Sequence, residues 1–174
     1  MTELVVFDTD CLSSFLCVQA EGLLLKLYKG RMVIPERVEV EFRRKSNLLH
    51  ERLMKLVDRG EIRVLLIEPG TAEYALYKEY SEDITEYHTA MGWGESAAIA
   101  LTQVNNGILA SNNLRDIRKL VDHLVLPHLT TADILVTVCQ QGVMDKGKLD
   151  VIWRDMRKEC WLPTETFSEY LARY

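Results

Sequence analysis

Four short apolar runs divide this chain: "ELVVFDTD" (3–10), "RMVIP" (31–35), "EIRVLLIEPG" (61–70) and "ILASNN" (108–113). Each is too short for a helix and rich in valine, leucine and isoleucine. That is the pattern of a parallel strand buried on both faces rather than of one with a wet face. "LVLP" (124–127) predicts a fifth. Between the runs the apolar positions recur at helical spacing. "SSFLCVQAEGLLLKLYKG" (13–30) predicts a helix capped at Ser13 or Ser14, with Gly22 as its break. Pro35 opens a helix that sets Val38 and Phe42 on one face. "NLLHERLMKLVDRG" (47–60) is stopped by Gly60. Two helical pieces, 71–80 and 81–91, follow the third strand. "GWGESAAIALTQVNNG" (92–107) is a buried helix between glycines, and 114–123 is a short one. The tail predicts a helix capped at Thr130 or Thr131 and stopped by Gly142, then two closing helices, 147–161 and 163–174.

Strands alternating with helices predict an α/β fold of three layers, α/β/α, around a central parallel sheet of four to five strands. No repeat or low-complexity linker interrupts the pattern. Residues 1–128 carry the strands, and 129–174 form a helical C-terminal extension packed on the same domain.

Length and composition fit this picture: 174 residues, 48% hydrophobic and 27% charged, suit one domain with a sizeable core. No apolar run is long enough to span a bilayer, and "MTELVVFDTD" lacks the basic start and apolar stretch of a signal peptide. A cytoplasmic protein without membrane attachment is expected. Cys11, Cys17, Cys139 and Cys160 are scattered without CxxC spacing, which argues against structural zinc or a disulfide framework. They read as small core residues. A net charge of −5 argues against a broad nucleic-acid-binding face, but not against a basic rim around an acidic pocket.

Ligands bind open parallel sheets beyond the carboxyl ends of the strands. Asp8 and Asp10 end the first strand. Ser111, Asn112 and Asn113 end the fourth, and Asp116 lies one turn into the next helix. Glu95 opens the glycine-bounded helix, where negative charge is favoured. Glu39 and Glu41 stand two apart on the helix after strand two, so only one of them faces a shared site. Converging carboxylates repel, and at least one stays protonated unless a cation intervenes. Hard divalent ions such as Mg2+ take such oxygen donors and keep several waters.

These residues resemble the PIN-domain nucleases. The likeness is carried by Asp-Thr-Asp after strand one, "IPERVEVEF" (34–42), "GWGESAAIALT" (92–102) and "ILASNNLRDIRKL" (108–120), and "GWGESAAIALT" is its most specific part. The tail from 130 to 171 resembles one PIN-like branch of predicted nucleic-acid-binding proteins. The resemblance implies a metal-dependent ribonuclease using Mg2+ or Mn2+ and acting on RNA. Asp8, Glu41, Glu95 and Asp116 would be the catalytic, metal-holding acids. Asp10, Ser111, Asn112 and Asn113 would stand behind them. Apart from the resemblance, Arg43, Arg44, Arg115 and Arg118, with Arg37, Lys45 and Lys119, flank the proposed site in the chain and are the candidates to meet a phosphate backbone. The resemblance also implies a cognate antitoxin protein and a homodimer. The chain departs from the family at the fourth acid: where an Asp often stands, it reads Ser111-Asn112-Asn113. The fourth ligand is therefore Asp116, an Asn, or missing.

Each residue has a plainer reading. Asp10 caps the next helix, Glu41 belongs to a solvated face, and Asn112 and Asn113 form a turn. Asp116 pairs with Arg115 or Arg118. Trp93 is a core plug or lid, with a base-stacking platform as the alternative. Trp153 and Trp161 pack in the tail, and none of the isolated histidines is catalytic. Two other functions fit parts of the pattern. A weakened PIN-like module would bind RNA or protein without cleaving. A haloacid-dehalogenase-like phosphatase would use Asp8 as nucleophile and Ser111 at a later strand end, but it leaves Glu95 without a task.

Overall fold

The computed structural model describes residues 3–160, 162 and 165–173. In chain order the elements are β1 (Val5–Phe7), α1 (Thr9–Cys17), α2 (Glu21–Tyr28), β2 (Met32–Pro35), α3 (Glu36–Lys45), α4 (Asn47–Asp58) and β3 (Arg63–Leu65). There follow α5 (Ala72–Glu82), α6 (Trp93–Val104), β4 (Ile108–Ala110), α7 (Leu114–Leu124), β5 (His128–Leu129), α8 (Thr131–Gln140), α9 (Lys146–Glu159) and α10 (Phe167–Leu171).

The strands form one five-stranded sheet in the order β3-β2-β1-β4-β5, with every pairing parallel. The period-two alternation of a strand divides the core between its faces. Val5, Phe7, Met32, Ile34 and Ala110 look to one side, where α1, α2, α3, α4, α8, α9 and α10 supply the packing. Val6, Val33 and Leu109 look to the other, against α5, α6 and α7. This is the three-layer α/β/α arrangement expected from the pattern. Helices of the tail share the first core: Ile134 and Leu135 of α8, Trp153 of α9 and Phe167 of α10 are buried with Phe7. Trp153 also donates its indole N–H to the Glu165 carbonyl at 2.8 Å. Trp161 lies outside the described residues, as do Pro163, Thr164 and Tyr174 within the last expected helix. Among the described residues no helix is long and apolar enough to cross a membrane.

The chain runs outward from β1 through β2 to β3, then crosses back to β4 on the other side of β1. Strand order therefore reverses between β1 and β4, where open α/β sheets form a crevice for ligands.

Several expected boundaries shift. The first helix begins at Thr9, capped by Asp8, whose carboxylate accepts the Cys11 N–H at 2.8 Å. Ser13 and Ser14 instead donate to the Asp10 carbonyl from inside that helix. The break between α1 and α2 falls at residues 18–20, with Gln19 at φ 57°, and Gly22 lies within α2. Residues 83–92 form no second helix. The Thr85 hydroxyl accepts the N–H groups of Tyr87 and His88, a local turn that competes with helical bonding. The fifth strand is His128–Leu129 rather than 124–127, because α7 runs to Leu124 and Val125 turns left-handed at φ 53°. Of the cysteines only Cys11 is fully buried. Cys17 and Cys160 are half-buried and hydrogen-bonded to each other, so core packing does not describe them.

Candidate active site

Asp8 sits where β1 becomes α1, and the sequence makes it serve both elements. Its N–H donates to the Ala110 carbonyl of β4 at 3.0 Å, continuing the sheet. Its side chain caps α1 and is 4% exposed. Burial pushes its carboxyl up to about 7. Hydrogen bonds from Ser111 and the Cys11 N–H oppose that rise, and the charges of Asp10 and Glu41 add to it.

Glu95 lies in the first turn of α6. Burial raises its carboxyl to about 7, with the Asp8 charge as the next cause. The Asn113 amide donates to Glu95 Oε1 at 2.8 Å and also to Asp116 Oδ2 at 3.0 Å. That single amide nitrogen stands between two carboxylates.

Glu41 comes from the middle of α3. Its Oε2 accepts the Thr9 hydroxyl at 2.5 Å and its Oε1 accepts the Gly94 N–H at 3.0 Å. Lys45, one turn on, lies 3.9 Å from Glu41 and 3.7 Å from Asp10. Glu39 turns elsewhere, to His50 and Arg43.

Asp8, Thr9, Asp10, Glu41, Lys45, Gly92, Glu95 and Asn113 line one cavity of about 170 Å³. A larger cavity of about 400 Å³ shares Thr9, Asp10, Lys45 and Asn113 with it and continues over Ser13, Ser14, Phe42 and Leu49. The acids of three elements thus meet in one concave, charged place.

The other expected site residues fall differently. Asp10 is exposed and does not cap the helix; it borders the cavity beside Lys45. Asp116 is exposed, and the Asn113 amide lies between it and Glu95. Ser111 supports Asp8 and accepts the Asn113 N–H at 3.2 Å. Asn112 faces the start of α8: its Oδ1 accepts the Thr131 N–H and its Nδ2 donates to Thr131 Oγ1, each at 2.9 Å. It fastens the end of β4 to the tail and does not line the acid cavity. Arg43 pairs with Glu39 at 3.2 Å and Arg118 with Asp122 at 3.7 Å. Arg115 is exposed on α7, and Arg44 lies over the Trp93 ring. Trp93 is 54% exposed, so it is no core plug.

Thr9 and Gly94 are the residues that sequence reasoning passed over. Thr9 was legible as the centre of Asp-Thr-Asp. Gly94 carries a sharper requirement: a Cβ there would stand 2.7 Å from Glu41 Oε1. Gly94→Ala is expected to push the Glu41 carboxylate out of place and break its backbone bond. The carboxylate end is flexible, so thermal stability should fall by less than about 1 kcal/mol. A thermal melt alongside divalent-ion titration checks this: weakened ion binding with a nearly unchanged melting temperature is the expected pair.

The donor chemistry fits a hard divalent cation. All the donors are oxygens, and they include the buried Asp8 and the half-buried Glu95, whose mutual repulsion a cation would relieve. As placed, no three His, Cys, Asp or Glu side chains among the described residues stand close enough to hold an ion. Each carboxylate is drawn toward its own wall: Asp8 to the Cys11 N–H, Glu41 to Thr9 and Gly94, and Glu95 to Asn113.

A parallel five-stranded sheet with acids gathered at the reversal of its strand order places the chain in the three-layer α/β/α class, with a candidate site at its switch point. A family model, DUF3368, described as a PIN domain, matches residues 4–174, and the chain belongs to the PIN-domain family. No curated protein matches the chain. PIN domains are generally nucleases and typically use divalent metals, and family membership leaves the phosphatase alternative without support.

Proposed function

We propose that this chain is a metal-dependent ribonuclease of the PIN type that hydrolyses RNA phosphodiester bonds. The observation that carries the reading is the convergence of Asp8, Glu41 and Glu95 on one cavity, with Asp8 and Glu95 both raised to about 7 by burial and repulsion. Isolated acids on a solvated surface would show neither feature. Asp8, Glu41 and Glu95 would hold Mg2+ or Mn2+, and Asp116 would act at the edge through Asn113. When bound, such an ion lowers the pKa of a water and neutralises charge on the phosphate oxygens.

The chain's own residues do the rest. Thr9 and the Gly94 N–H orient Glu41, and Asn113 orients Glu95. Lys45 offers an ammonium group to a phosphate entering between Asp10 and Glu41. No covalent nucleophile is needed. A cognate antitoxin protein and a homodimer remain part of the proposal on the family resemblance alone.

A second reading, a weakened module that binds RNA without cutting it, is favoured by Ser111-Asn112-Asn113 at the fourth position and by the spacing of the acids. Cleavage of a single-stranded oligoribonucleotide in Mn2+, with EDTA and with Glu95→Gln, separates the two. The nuclease reading expects cleavage that EDTA abolishes and Glu95→Gln reduces by at least about 100-fold, beyond what loss of an outer partner costs. Binding that tolerates EDTA, with no cleavage under any metal, supports the weakened module. Cleavage indifferent to Glu95→Gln overturns the site.

A further inference from the structure

Trp93, two residues before Glu95, is an aromatic side chain that the fold leaves uncovered. Trp153 is buried, whereas Trp93 keeps 54% of its surface in water. Its position is nevertheless tightly set. Gly92 before it lines the acid cavity, the Gly94 N–H after it is held by Glu41, and Glu95 follows two residues on. Trp93 is the first residue of α6, where the helix terminus favours negative charge. The Arg44 guanidinium lies 5.9 Å from the ring centroid, and the next residue, Lys45, enters the cavity.

We propose that Trp93, backed by Arg44, is a stacking platform for one unpaired nucleobase of a strand whose backbone crosses the acid cavity. The proposal rests on reading that cavity as a phosphodiester site. An indole offers every base an apolar face, and its partner must be unpaired to lie flat on it. Arg44 suits the place twice. A planar guanidinium holds an aromatic ring by cation–π attraction, and its charge meets the phosphate of the nucleotide stacked there. A protein-docking surface would need a contiguous apolar patch. Here Arg44 lies against the ring, Gly92 precedes it in the chain, and the buried Met91 adds nothing to the surface.

The test is binding of a short single-stranded oligouridylate, and of the same sequence as a duplex, in EDTA. Intrinsic tryptophan fluorescence reads wild type, and a labelled oligonucleotide reads Trp93→Ala, Trp93→Phe and Arg44→Gln. Wild-type emission should be quenched by the single strand. Trp93→Ala should weaken single-strand binding about tenfold, and Trp93→Phe should retain most of it, because stacking rather than hydrogen bonding holds the base. Arg44→Gln should fall between them, and duplex binding should not respond to Trp93→Ala. Equal single-strand affinity for wild type and Trp93→Ala overturns the proposal. So does a Trp93→Ala effect confined to association with protein, including a second copy of this chain. Because the ring is exposed, the melting temperature of Trp93→Ala should match wild type and certify its fold. The two readings fail separately. Trp93-dependent binding without metal-dependent cleavage sinks the nuclease and keeps the platform. Cleavage lost in Glu95→Gln, with binding unchanged in Trp93→Ala, does the reverse.

Discussion

Asp8→Asn is expected to abolish metal-dependent cleavage while making the metal-free protein more stable at pH 8. The two effects have one cause. Asp8 is buried where β1 meets α1, and burial raises its carboxyl to about 7. At pH 8 it is ionised in a place that disfavours charge, near Asp10 and Glu41. Asparagine removes the charge and keeps the cap. Its carbonyl accepts the Cys11 N–H as the carboxylate does, and Asn and Asp are about equal at that position. Its amide has the Ser111 hydroxyl within reach in place of the bond that hydroxyl now donates. Relief of the buried charge should be worth on the order of 1–3 kcal/mol at pH 8, a gain of several degrees in melting temperature. Cleavage should drop by more than the roughly 10–100-fold that an outer partner costs. A residue kept for architecture loses stability when altered, whereas one kept for chemistry gains it. A melt and a cleavage assay on the same preparation decide: a lower melting temperature with cleavage retained would reduce Asp8 to a helix cap.

What could be read in the chain follows the range of the forces involved. The sheet was legible because burial on both faces leaves an apolar run in the sequence itself, as in Val5–Phe7 and Met32–Ile34. Asp8, Glu95 and Glu41 were legible as acids at strand ends and helix starts. Boundaries failed where one residue served two elements. Asp8 ends a strand and caps a helix, so the helix starts four residues before Ser13. They failed too where a turn was set by a strained backbone, as at Val125, whose branched side chain gives no hint of φ 53°. The partners of the acids were the least legible. Gly94 reaches Glu41 across 53 residues, and Asn113 reaches Glu95 across 18. Only folding makes those pairs. Asn112 and Asn113 are adjacent and chemically alike, yet one ties down α8 and the other orients Glu95. Nothing local tells them apart. Lys45 was legible as a candidate phosphate contact, since it lies one turn from Glu41 on the same helical face.

The metal-free protein is expected to lose stability as pH rises from about 5 to 8, and Mn2+ is expected to restore it only at the upper end. Asp8 and Glu95 both titrate near 7 when folded, against 3.8 and 4.5 when unfolded. Between those limits the native state binds more protons than the unfolded chain, so stability falls as pH increases. The contribution is whole below about 4 and gone above about 7. Each acid repels the other, so their shifts overlap and do not add. At about 1.4 kcal/mol per unit, the combined loss should be near 3–5 kcal/mol, or roughly 10 °C for a chain of this size. Asp145, Asp155 and Glu169 have lowered values and act with the opposite sign, but at more acid pH. His128, lowered by burial, also acts with the opposite sign inside the window and subtracts from the loss. A divalent ion competes with the same protons for the same oxygens. Mn2+ at 100 times its dissociation constant adds about 2.7 kcal/mol at pH 8, where the acids are ionised, and much less at pH 5.5, where protons hold them. Melting curves at both values, with Mn2+ and with EDTA, test this. Stability that is flat or rising across the window, with the same Mn2+ effect at each end, would mean that Asp8 and Glu95 do not share a cation. In Asp8→Asn both the pH slope and the Mn2+ increment should shrink together, because one buried carboxylate generates both.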